Sequence, residues 1–242
     1  MKLKCLGSSS SGNCYILYND EEAIILEAGV RFSAVKEALN FDLSKVKAVV
    51  CSHLHGDHSK YIKEFIYSGI PVLADESVFS HYSLPVSVIA KHQYEYKFGG
   101  FSIKPFSVEH DVPTFGFYLY HKEMGKTVFI TDTGEIEYTF NNLNNIIVEA
   151  NFSEQIIEDN VMKGIIHPVH EKRVKSSHLS IEKCIKWLGL MDLTKVNNIV
   201  LAHLSSQNSN SALFKEMVEN KFTKNVHIAR KKLNIEFNKL PF

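Results

Sequence analysis

The chain has 242 residues, a formal net charge of zero, 45% hydrophobic residues and 22% charged residues. These values are ordinary for a globular protein, so we expect one domain over residues 1–242. A balanced charge argues against tight, extended binding to duplex DNA, although it is compatible with an enzyme that grips a few phosphates. The sequence holds no apolar stretch of about 18 residues and therefore predicts no membrane span.

The first residues and the cysteines indicate the compartment. Residues 1–7 begin with positive charge and turn to glycine and serine before any hydrophobic segment develops, unlike a secretory signal. The four cysteines lie without CxxC spacing, which argues against a disulfide framework or a thiolate metal site. We therefore expect a cytoplasmic protein with reduced cysteines.

Short strands come first and last along the chain, with helices between them. Strands are predicted at 2–6, 14–18, 23–26, 46–50, 71–74, 102–108, 115–120, 127–130, 145–149 and 198–202. Helical spacing covers 31–40, 59–68, 181–188 and 211–220, and Ser180 is the expected cap of the third of these helices. Two β-rich halves with covering helices predict an α+β fold, a four-layer αββα sandwich.

A cluster of metal-ligand side chains follows the strand at 46–50. The segment Cys51-Ser52-His53-Leu54-His55-Gly56-Asp57-His58 holds three imidazoles and one carboxylate within six residues. Both groups are ligands for divalent ions such as zinc. If this segment is extended, alternate residues share one side, so that His53, His55 and Asp57 converge while His58 serves a second ion.

Three further residues of ligand type follow predicted strands. They are His110, Asp132 and His203, each just beyond an apolar run. A single loop histidine is usually a hydrogen-bonded residue rather than a ligand. Their shared position after strands, together with the first cluster, favours a common metal site.

The motif His53-x-His55-x-Asp57-His58 resembles the metal signature of the metallo-β-lactamase superfamily, whose members are αββα sandwiches. By that resemblance, one ion would be bound by His53, His55 and His110, a second by Asp57, His58 and His203, and both by a bridging Asp132. Thiolates are absent from the set, so the expected cofactors are two divalent ions, zinc or manganese. Asp57 would also be catalytic, because it can accept a hydrogen bond from a water molecule between the ions.

Three other segments narrow the resemblance to one branch. They are the Gly-Ser loop at 7–13, the segment 177–180 and the segment 202–208. From residue 6 to about 229 the chain resembles small bacterial exonuclease-like proteins encoded at a cell-wall regulatory locus. That resemblance implies 5′-to-3′ action on single-stranded DNA.

These segments supply the candidate catalytic and substrate-binding residues. His178 could donate a proton to a leaving oxygen or bind a phosphate. The Gly-Ser loop could cradle a phosphate, although a solvated turn explains it equally well. Residues near His203 could instead support that ligand through hydrogen bonds. The candidate substrate-binding residues are Ser9, Ser11, Asn13, Ser205 and Asn208.

Some features have two interpretations. The basic segments 163–175 and 230–232 are either contacts for a strand or solvated loops, and the second is favoured. Phe115 and Phe117 could stack on bases, although a place in the core is favoured. Glu27 stands where many relatives carry Asp, an acid expected to brace the histidine loop.

The leading hypothesis is a dinuclear-metal-dependent hydrolase that cleaves phosphodiester bonds, an exonuclease on single-stranded DNA. One alternative is a hydrolase of a small phosphodiester, cyclic nucleotide or thioester. Another is a metal-stabilised module that binds a partner without cutting it. A groove over the metals favours a polymer, whereas a narrow pit favours a small molecule; protein partners are not predicted.

Overall fold

The computed structural model describes residues 1–240 as two stacked seven-stranded sheets with helices on both outer faces. The strands are β1 Lys2–Gly7, β2 Cys14–Tyr18, β3 Ala23–Leu26, β4 Val46–Val50, β5 Val72–Ala74, β6 Val88–Ile89, β7 Tyr96–Phe98, β8 Phe101–Val108, β9 Thr114–His121, β10 Gly125–Ile130, β11 Asn145–Glu149, β12 Asn198–Ala202, β13 Asn225–Ile228 and β14 Asn234–Glu236. The helices are α1 Phe32–Ala38, α2 Gly56–Ser59, α3 Ile62–Tyr67, α4 Glu76–His81, α5 Glu154–Met162, α6 Pro168–Ser177, α7 Ile181–Leu188 and α8 Ser211–Phe222. The predicted α+β, four-layer αββα sandwich is confirmed.

The topology brings the carboxyl ends of several strands to one rim. The first sheet has the order β14-β1-β2-β3-β4-β5-β6, and the second has the order β13-β12-β11-β10-β9-β8-β7. Within the first sheet β3, β4, β5 and β6 are parallel, and within the second β10, β11, β12 and β13 are parallel. Strand β8 is antiparallel to β9, and β9 to β10, so β8 runs with the parallel set.

The inner faces of the two sheets form the central core. Leu17 and Ile24 of the first sheet and Phe129 of the second belong to one buried cluster, in which each is fully inaccessible. Phe115 and Phe117 belong to the same cluster, which confirms the favoured interpretation of these two rings as core residues. Alternate residues along each strand enter this core or the opposite face, as the pleat requires.

The outer faces are covered by helices that bury their own apolar stripes. Helices α1, α3 and α4 cover the first sheet, and α7 and α8 cover the second. Trp187 of α7 is 3% exposed and donates a hydrogen bond from Nε1 to the carbonyl oxygen of Tyr138 at 2.8 Å. Ser180 caps α7 by accepting a hydrogen bond from the backbone N–H of Lys183 at 3.2 Å, as the sequence predicted.

Several elements differ from the sequence prediction. The helix expected at 59–68 is shorter, at Ile62–Tyr67, and follows a separate helical turn that the histidine loop forms at Gly56–Ser59. The segment expected as a solvated loop at 163–175 falls largely in helix α6. Its polar composition and weak apolar periodicity concealed it, because Val174 and Ser177 are its only two buried residues.

None of the helices within residues 1–240 combines the length and the apolar character needed to cross a membrane.

A half-buried contact between Glu22 and His121 joins the β2–β3 turn to the far end of the second sheet. Glu22 accepts hydrogen bonds from Nε2 of His121 at 3.0 Å and from the backbone N–H of Gly100 at 2.7 Å. Burial alone would raise the pKa of Glu22, but these hydrogen bonds and the charge of His121 outweigh it and lower the pKa.

We expect Glu22→Gln to lower the free energy of unfolding by about 1 kcal/mol at neutral pH, since it removes charge-assisted hydrogen bonds. Because the folded pKa is depressed, this stabilisation is present above the unfolded pKa of about 4.3 and is lost as the pH falls through the folded value. Denaturant unfolding of both proteins across this range measures the difference. The exposed neighbour Glu21→Gln is the matched control; an equal effect of both variants, or a difference that does not shrink in acid, would contradict the assignment.

Candidate metal centre

The rim where the parallel strands end carries all seven predicted ligand residues. The loop after β4 supplies four of them, and the segments after β8, β10 and β12 supply one each. The structure brings these residues together as His53, His55, Asp57, His58, His110, Asp132 and His203.

The first group consists of His53, His55, His110 and Asp132. Nδ1 of His55 lies 3.0 Å from Nε2 of His53 and 3.3 Å from Nε2 of His110. These separations match the edge of about 3.3 Å expected for a tetrahedron whose metal–nitrogen bonds are about 2.0–2.1 Å long. The three imidazole nitrogens therefore converge on a volume that fits one small divalent cation.

The second group consists of Asp57, His58, Asp132 and His203. Nε2 of His58 lies 3.2 Å from Oδ2 of Asp57 and 3.3 Å from Oδ1 of Asp132. Nε2 of His203 is buried and has no hydrogen-bond partner among the described residues, although Oδ2 of Asp57 lies 3.3 Å away. A buried nitrogen without a hydrogen-bond partner fits a metal ligand. Asp132 belongs to both groups.

The expectation from strand alternation was wrong for Asp57. The chain is extended at His55 but turns into helix α2 at Gly56, so residues beyond this point no longer alternate between two sides. Asp57 therefore lies with His58 rather than with His53 and His55. The two groups implied by the family resemblance are both present, and Asp132, Glu149, His178 and His203 form a third group of ligand-type atoms beside them, so the division of ligands between two ions stays a prediction.

Three residues of the site have strained backbone. Glu27 has φ +68°, Asp132 has φ +41° and His203 has φ +54°, in the left-handed region that side chains other than glycine rarely adopt. Each such residue costs about 1–3 kcal/mol and persists only where surrounding contacts fix it. Here the N–H of Glu27 is bound by the carbonyl oxygen of Val50 at 2.8 Å, and the N–H of His203 by Oγ of Ser8 at 2.8 Å.

Buried polar side chains hold the histidine loop from behind. Glu27 is fully buried, accepts a hydrogen bond from the N–H of Ser52 at 3.2 Å and lies 3.4 Å from Nδ1 of His58. Ser52 in turn places Oγ 2.8 Å from Nδ1 of His53. Hydrogen bonds of this kind fix the ring orientation of a ligating histidine. Glu27 therefore braces the loop, as the sequence suggested.

Asn13 has a different position from the one expected. Its side chain is fully buried, and Nδ2 donates to Oδ2 of Asp57 at 3.2 Å and lies 3.0 Å from Nε2 of His58. The prediction that Asn13 contacts a substrate phosphate is therefore corrected, because this amide supports two metal ligands and is shielded from substrate.

A buried carboxylate that the sequence reasoning missed connects two histidines. Oε1 of Glu149, the last residue of β11, lies 2.7 Å from Nδ1 of His178 and 3.0 Å from Nδ1 of His203. Its other oxygen accepts from the N–H groups of Thr133 and Leu179, each at 3.0 Å. The signal was available, since Glu149 ends an apolar strand just as the three outlying ligands do. Glu149 orients His203 for a metal and holds His178 beside it.

The histidines of the site are of two kinds: burial lowers the pKa of some, and a neighbouring carboxylate raises the pKa of the others. Burial lowers the pKa of His53 and of His110, which favours the neutral imidazole that a metal requires, whereas for His58 and His203 burial is outweighed by the charge of Asp132 and the pKa is raised. Burial would also lower the pKa of His178, but the charge of Glu149 and its hydrogen bond raise it. Burial would raise the pKa of Asp132, yet the charges of His203 and His58 hold it well below its usual range. Asp132 is therefore ionised, and His178 favours the protonated form.

A cavity of about 250 Å³ opens over the two groups. Its wall includes Asp57, Asp132, His178 and His203, one face of helix α6 and the loop after β12. Ser205 and Asn208 line this cavity, but neither is hydrogen-bonded to His203, so the expected support of that ligand by them is corrected. The supporting contact comes instead from Nδ2 of Asn151, which donates to the carbonyl oxygen of His203 at 2.8 Å.

The Gly-Ser loop reaches the cavity through a different serine. Ser10 lines it, whereas Ser9 accepts a hydrogen bond on Oγ from the N–H of Ser11 at 3.2 Å within the loop. Ser11 is exposed and lies outside the cavity lining. Substrate contacts by Ser9 and Ser11 stay predictions.

Gly29 allows the histidine loop to lie against the β3 terminus. A Cβ atom at this position would stand 1.7 Å from the carbonyl oxygen of Asp57 and 2.7 Å from the backbone nitrogen of Asn13. Both neighbours are backbone atoms, so the loop itself would have to move.

We expect Gly29→Ala to lower the free energy of unfolding by about 3 kcal/mol and to weaken metal binding. Gly189→Ala is the matched control, because a Cβ there meets its nearest atoms at 3.4 Å. Thermal unfolding and metal content of the two variants give the comparison; a Gly29→Ala protein with unchanged stability and metal content would refute the close approach.

Comparisons with known proteins agree with this fold and this site. Residues 9–74 match the family model described as the metallo-beta-lactamase superfamily. The chain is 25% identical over 234 residues to "Exodeoxyribonuclease WalJ" of Streptococcus pneumoniae, covering 86% of this chain and 87% of that protein. It is 26% identical over 230 residues to "Exodeoxyribonuclease YycJ" of Bacillus anthracis, covering 79% and 87% respectively.

A solved structure shows the same fold. The metallo-beta-lactamase fold protein YhfI of Bacillus subtilis superposes with a TM-score of 0.73 at 14% identity, covering 97% of this chain and 99% of that one. The chain therefore has the metallo-β-lactamase fold, resembles that superfamily in residues 9–74, and carries histidine and aspartate clusters able to bind metal ions. Within that superfamily, its sequence resembles the exodeoxyribonucleases WalJ and YycJ over most of its length.

Proposed function

We propose that the protein is a two-metal phosphodiesterase that acts as an exonuclease on single-stranded DNA in the cytoplasm. The observation that supports this proposal most strongly is that two ligand groups share Asp132, which lines one cavity. His178 and Glu149 lie beside these groups. The names of the relatives WalJ and YycJ supply the substrate class.

The ligand set suits zinc or manganese. Imidazole nitrogens and carboxylate oxygens are compatible with both ions, and no thiolate belongs to either group. Two such ions, held by these residues, would supply a water molecule of lowered pKa and neutralise the charge that develops on a phosphoryl oxygen.

The protein's own groups position the reactants. Asp57 is held ionised, because burial would raise its pKa but the neighbouring imidazoles of His203 and His58 lower it. Its carboxylate is thus available to accept a hydrogen bond from an attacking water. Nδ1 of His178 is engaged by Glu149, so Nε2 is the nitrogen left to give a proton to the leaving oxygen.

The volume and the lining of the cavity can be compared with those expected for the second candidate, a hydrolase of a small phosphodiester. At about 250 Å³ it is smaller than the range of about 300–1,000 Å³ typical of sites that enclose a whole small molecule. Its lining is mainly polar and includes several serine, asparagine and glutamine side chains. The cavity volume therefore does not separate a strand end from a small phosphodiester, and the choice of a strand rests on the names of the relatives.

The test is incubation of the purified protein with end-labelled single-stranded DNA, duplex DNA, RNA and a cyclic nucleotide, in zinc and in manganese. We expect stepwise shortening of single-stranded DNA as the fastest reaction. Failure to cut any nucleic acid while both ions are bound, with turnover of the cyclic nucleotide, would transfer the assignment to the runner-up.

A further inference from the structure

One face of helix α6 forms a wall of the active-site cavity. The lining residues of this helix are His170, Arg173, Val174 and Ser177, at the spacing i, i+3, i+4 and i+7 that places residues on one side of a helix. The same cavity is also lined by the loop Leu204–Asn208, which presents hydroxyl and amide groups, and by His55, Asp57, Asp132 and His203 of the metal groups.

Helix α6 is firmly fixed relative to the metal ligands. The carbonyl oxygen of Ser177, its last residue, accepts a hydrogen bond from Nδ1 of His110 at 2.8 Å. Val174 is buried with Ile157 of α5 in a small apolar cluster. Lys175 is tied by three carboxylates, those of Glu154, Glu158 and Glu171, at 3.0, 3.1 and 3.0 Å. The backbone of α6 is therefore held in a set position beside the residues of the metal groups.

Arg173 differs from Lys175 in having no ion-pair partner within residues 1–240. It is exposed, and it is the one arginine or lysine among the residues that line the cavity. The acids on the same wall, Asp57 and Asp132, are engaged by histidines of the metal groups. An arginine left free beside a phosphodiester site offers a planar fork of donors that matches a phosphate in a bidentate manner.

We infer that Arg173, with His170 one turn earlier on the same face, binds the phosphate of the nucleotide next to the scissile bond. This inference rests on the proposed function and deepens it, because it requires a substrate with a second phosphate beside the one that is cleaved. A cyclic mononucleotide has no such group, whereas a nucleic acid strand has one at every step. The cavity face of helix α6 therefore favours a nucleic acid strand over a cyclic mononucleotide as the substrate.

The test measures binding and turnover separately. Binding of a labelled single-stranded oligonucleotide is followed by fluorescence anisotropy in the metal-loaded His178→Ala background, where cleavage is slow. We expect Arg173→Ala to weaken binding about tenfold and to reduce the salt slope of binding by about 0.7, the value for one lost phosphate contact on a single strand. Arg173→Lys should recover part of the affinity, since it keeps the charge and loses the fork.

The matched control is Lys172→Ala, an exposed basic residue of the same helix that lies outside the cavity lining. It should leave affinity within about twofold of the parent, because general attraction spreads over the surface. In the otherwise wild-type protein, Arg173→Ala should raise KM about tenfold and change kcat little. Equal affinity of Arg173→Ala and its parent, or equal losses in Arg173→Ala and Lys172→Ala, would overturn the subsite.

The two proposals fail in different ways. If the wild-type protein cuts single-stranded DNA and Arg173→Ala binds it as well as the parent does, the subsite is wrong and the proposed function stands. If the metal-loaded wild type binds the oligonucleotide through Arg173 but cuts no nucleic acid, the proposed function fails, and Arg173 is left as a phosphate contact with no scissile bond beside it. Thermal melting of each variant verifies that the exposed substitution leaves the fold intact.

Discussion

Asp132→Asn is expected to abolish hydrolysis, with a loss of roughly 10⁴-fold in kcat/KM. Asp132 is the one residue common to both ligand groups, and its two oxygens lie 3.9 Å from Nε2 of His53 and 3.3 Å from Nε2 of His58. Removing its charge weakens the binding of both ions, and metal assistance is worth several kcal/mol at about 1.4 kcal/mol per tenfold in rate. Asparagine is the right replacement, because it tolerates the left-handed backbone at this position.

The measurement is metal content by elemental analysis together with the rate of strand shortening. Glu135→Gln, an exposed acid three residues further on, should retain both metals and full activity. A protein with Asp132→Asn that keeps its metals and its rate would show that this carboxylate does not hold the ions.

His178→Ala is expected to reduce kcat by about 10²–10⁴-fold while the metal content is unchanged, the range typical of a lost general acid. His178 lies outside the two proposed metal groups, although it joins Asp132, Glu149 and His203 in a third cluster of ligand-type atoms; it lines the same cavity and is hydrogen-bonded to Glu149. The pKa of His178 is raised, so the protonated form that can donate is favoured. A leaving group that needs no proton, such as p-nitrophenolate, should be hydrolysed with a much smaller loss.

Glu149→Gln provides a second variant for the same role, since it keeps the shape and removes the charge that raises the pKa of His178. We expect the acid limb of its pH–rate profile to move to lower pH. An equal loss on activated and unactivated substrates in His178→Ala would contradict proton donation and indicate a binding role.

Much of the fold could be predicted from local sequence patterns. Strands β2, β3, β11 and β12 and helix α7 coincide with their predicted bounds, because each is an uninterrupted apolar run or a strongly amphipathic segment with clear turn residues. Helices α5 and α6 were not predicted. They are stabilised mainly by a satellite cluster of four buried residues and by ion pairs, which leave little periodic signal in the sequence.

The sequence predicted the residues of the two metal groups but not the residues that support them. The seven residues of the two metal groups could be found because metal ligands combine a restricted residue type with a strand-end position. Glu149, Ser8 and Asn151 were missed, since a buried carboxylate, hydroxyl or amide that supports a ligand has no distinctive spacing. Asn13 was placed on the wrong side of the ligands for the same reason: the sequence located it in the loop, and only the close approach of that loop to Asp57 buries its amide.

Stepwise restoration of metal to the chelated protein tests the central claim most directly, with single-stranded DNA cleavage measured at each ratio of bound metal to protein. The account predicts no cleavage without metal and a cleavage rate that reaches its maximum at two bound ions per chain. The Asp132→Asn protein should cleave no DNA at any ratio of metal to protein. Full cleavage by the metal-free protein, or two tightly bound ions with no hydrolysis of any phosphodiester, would contradict it.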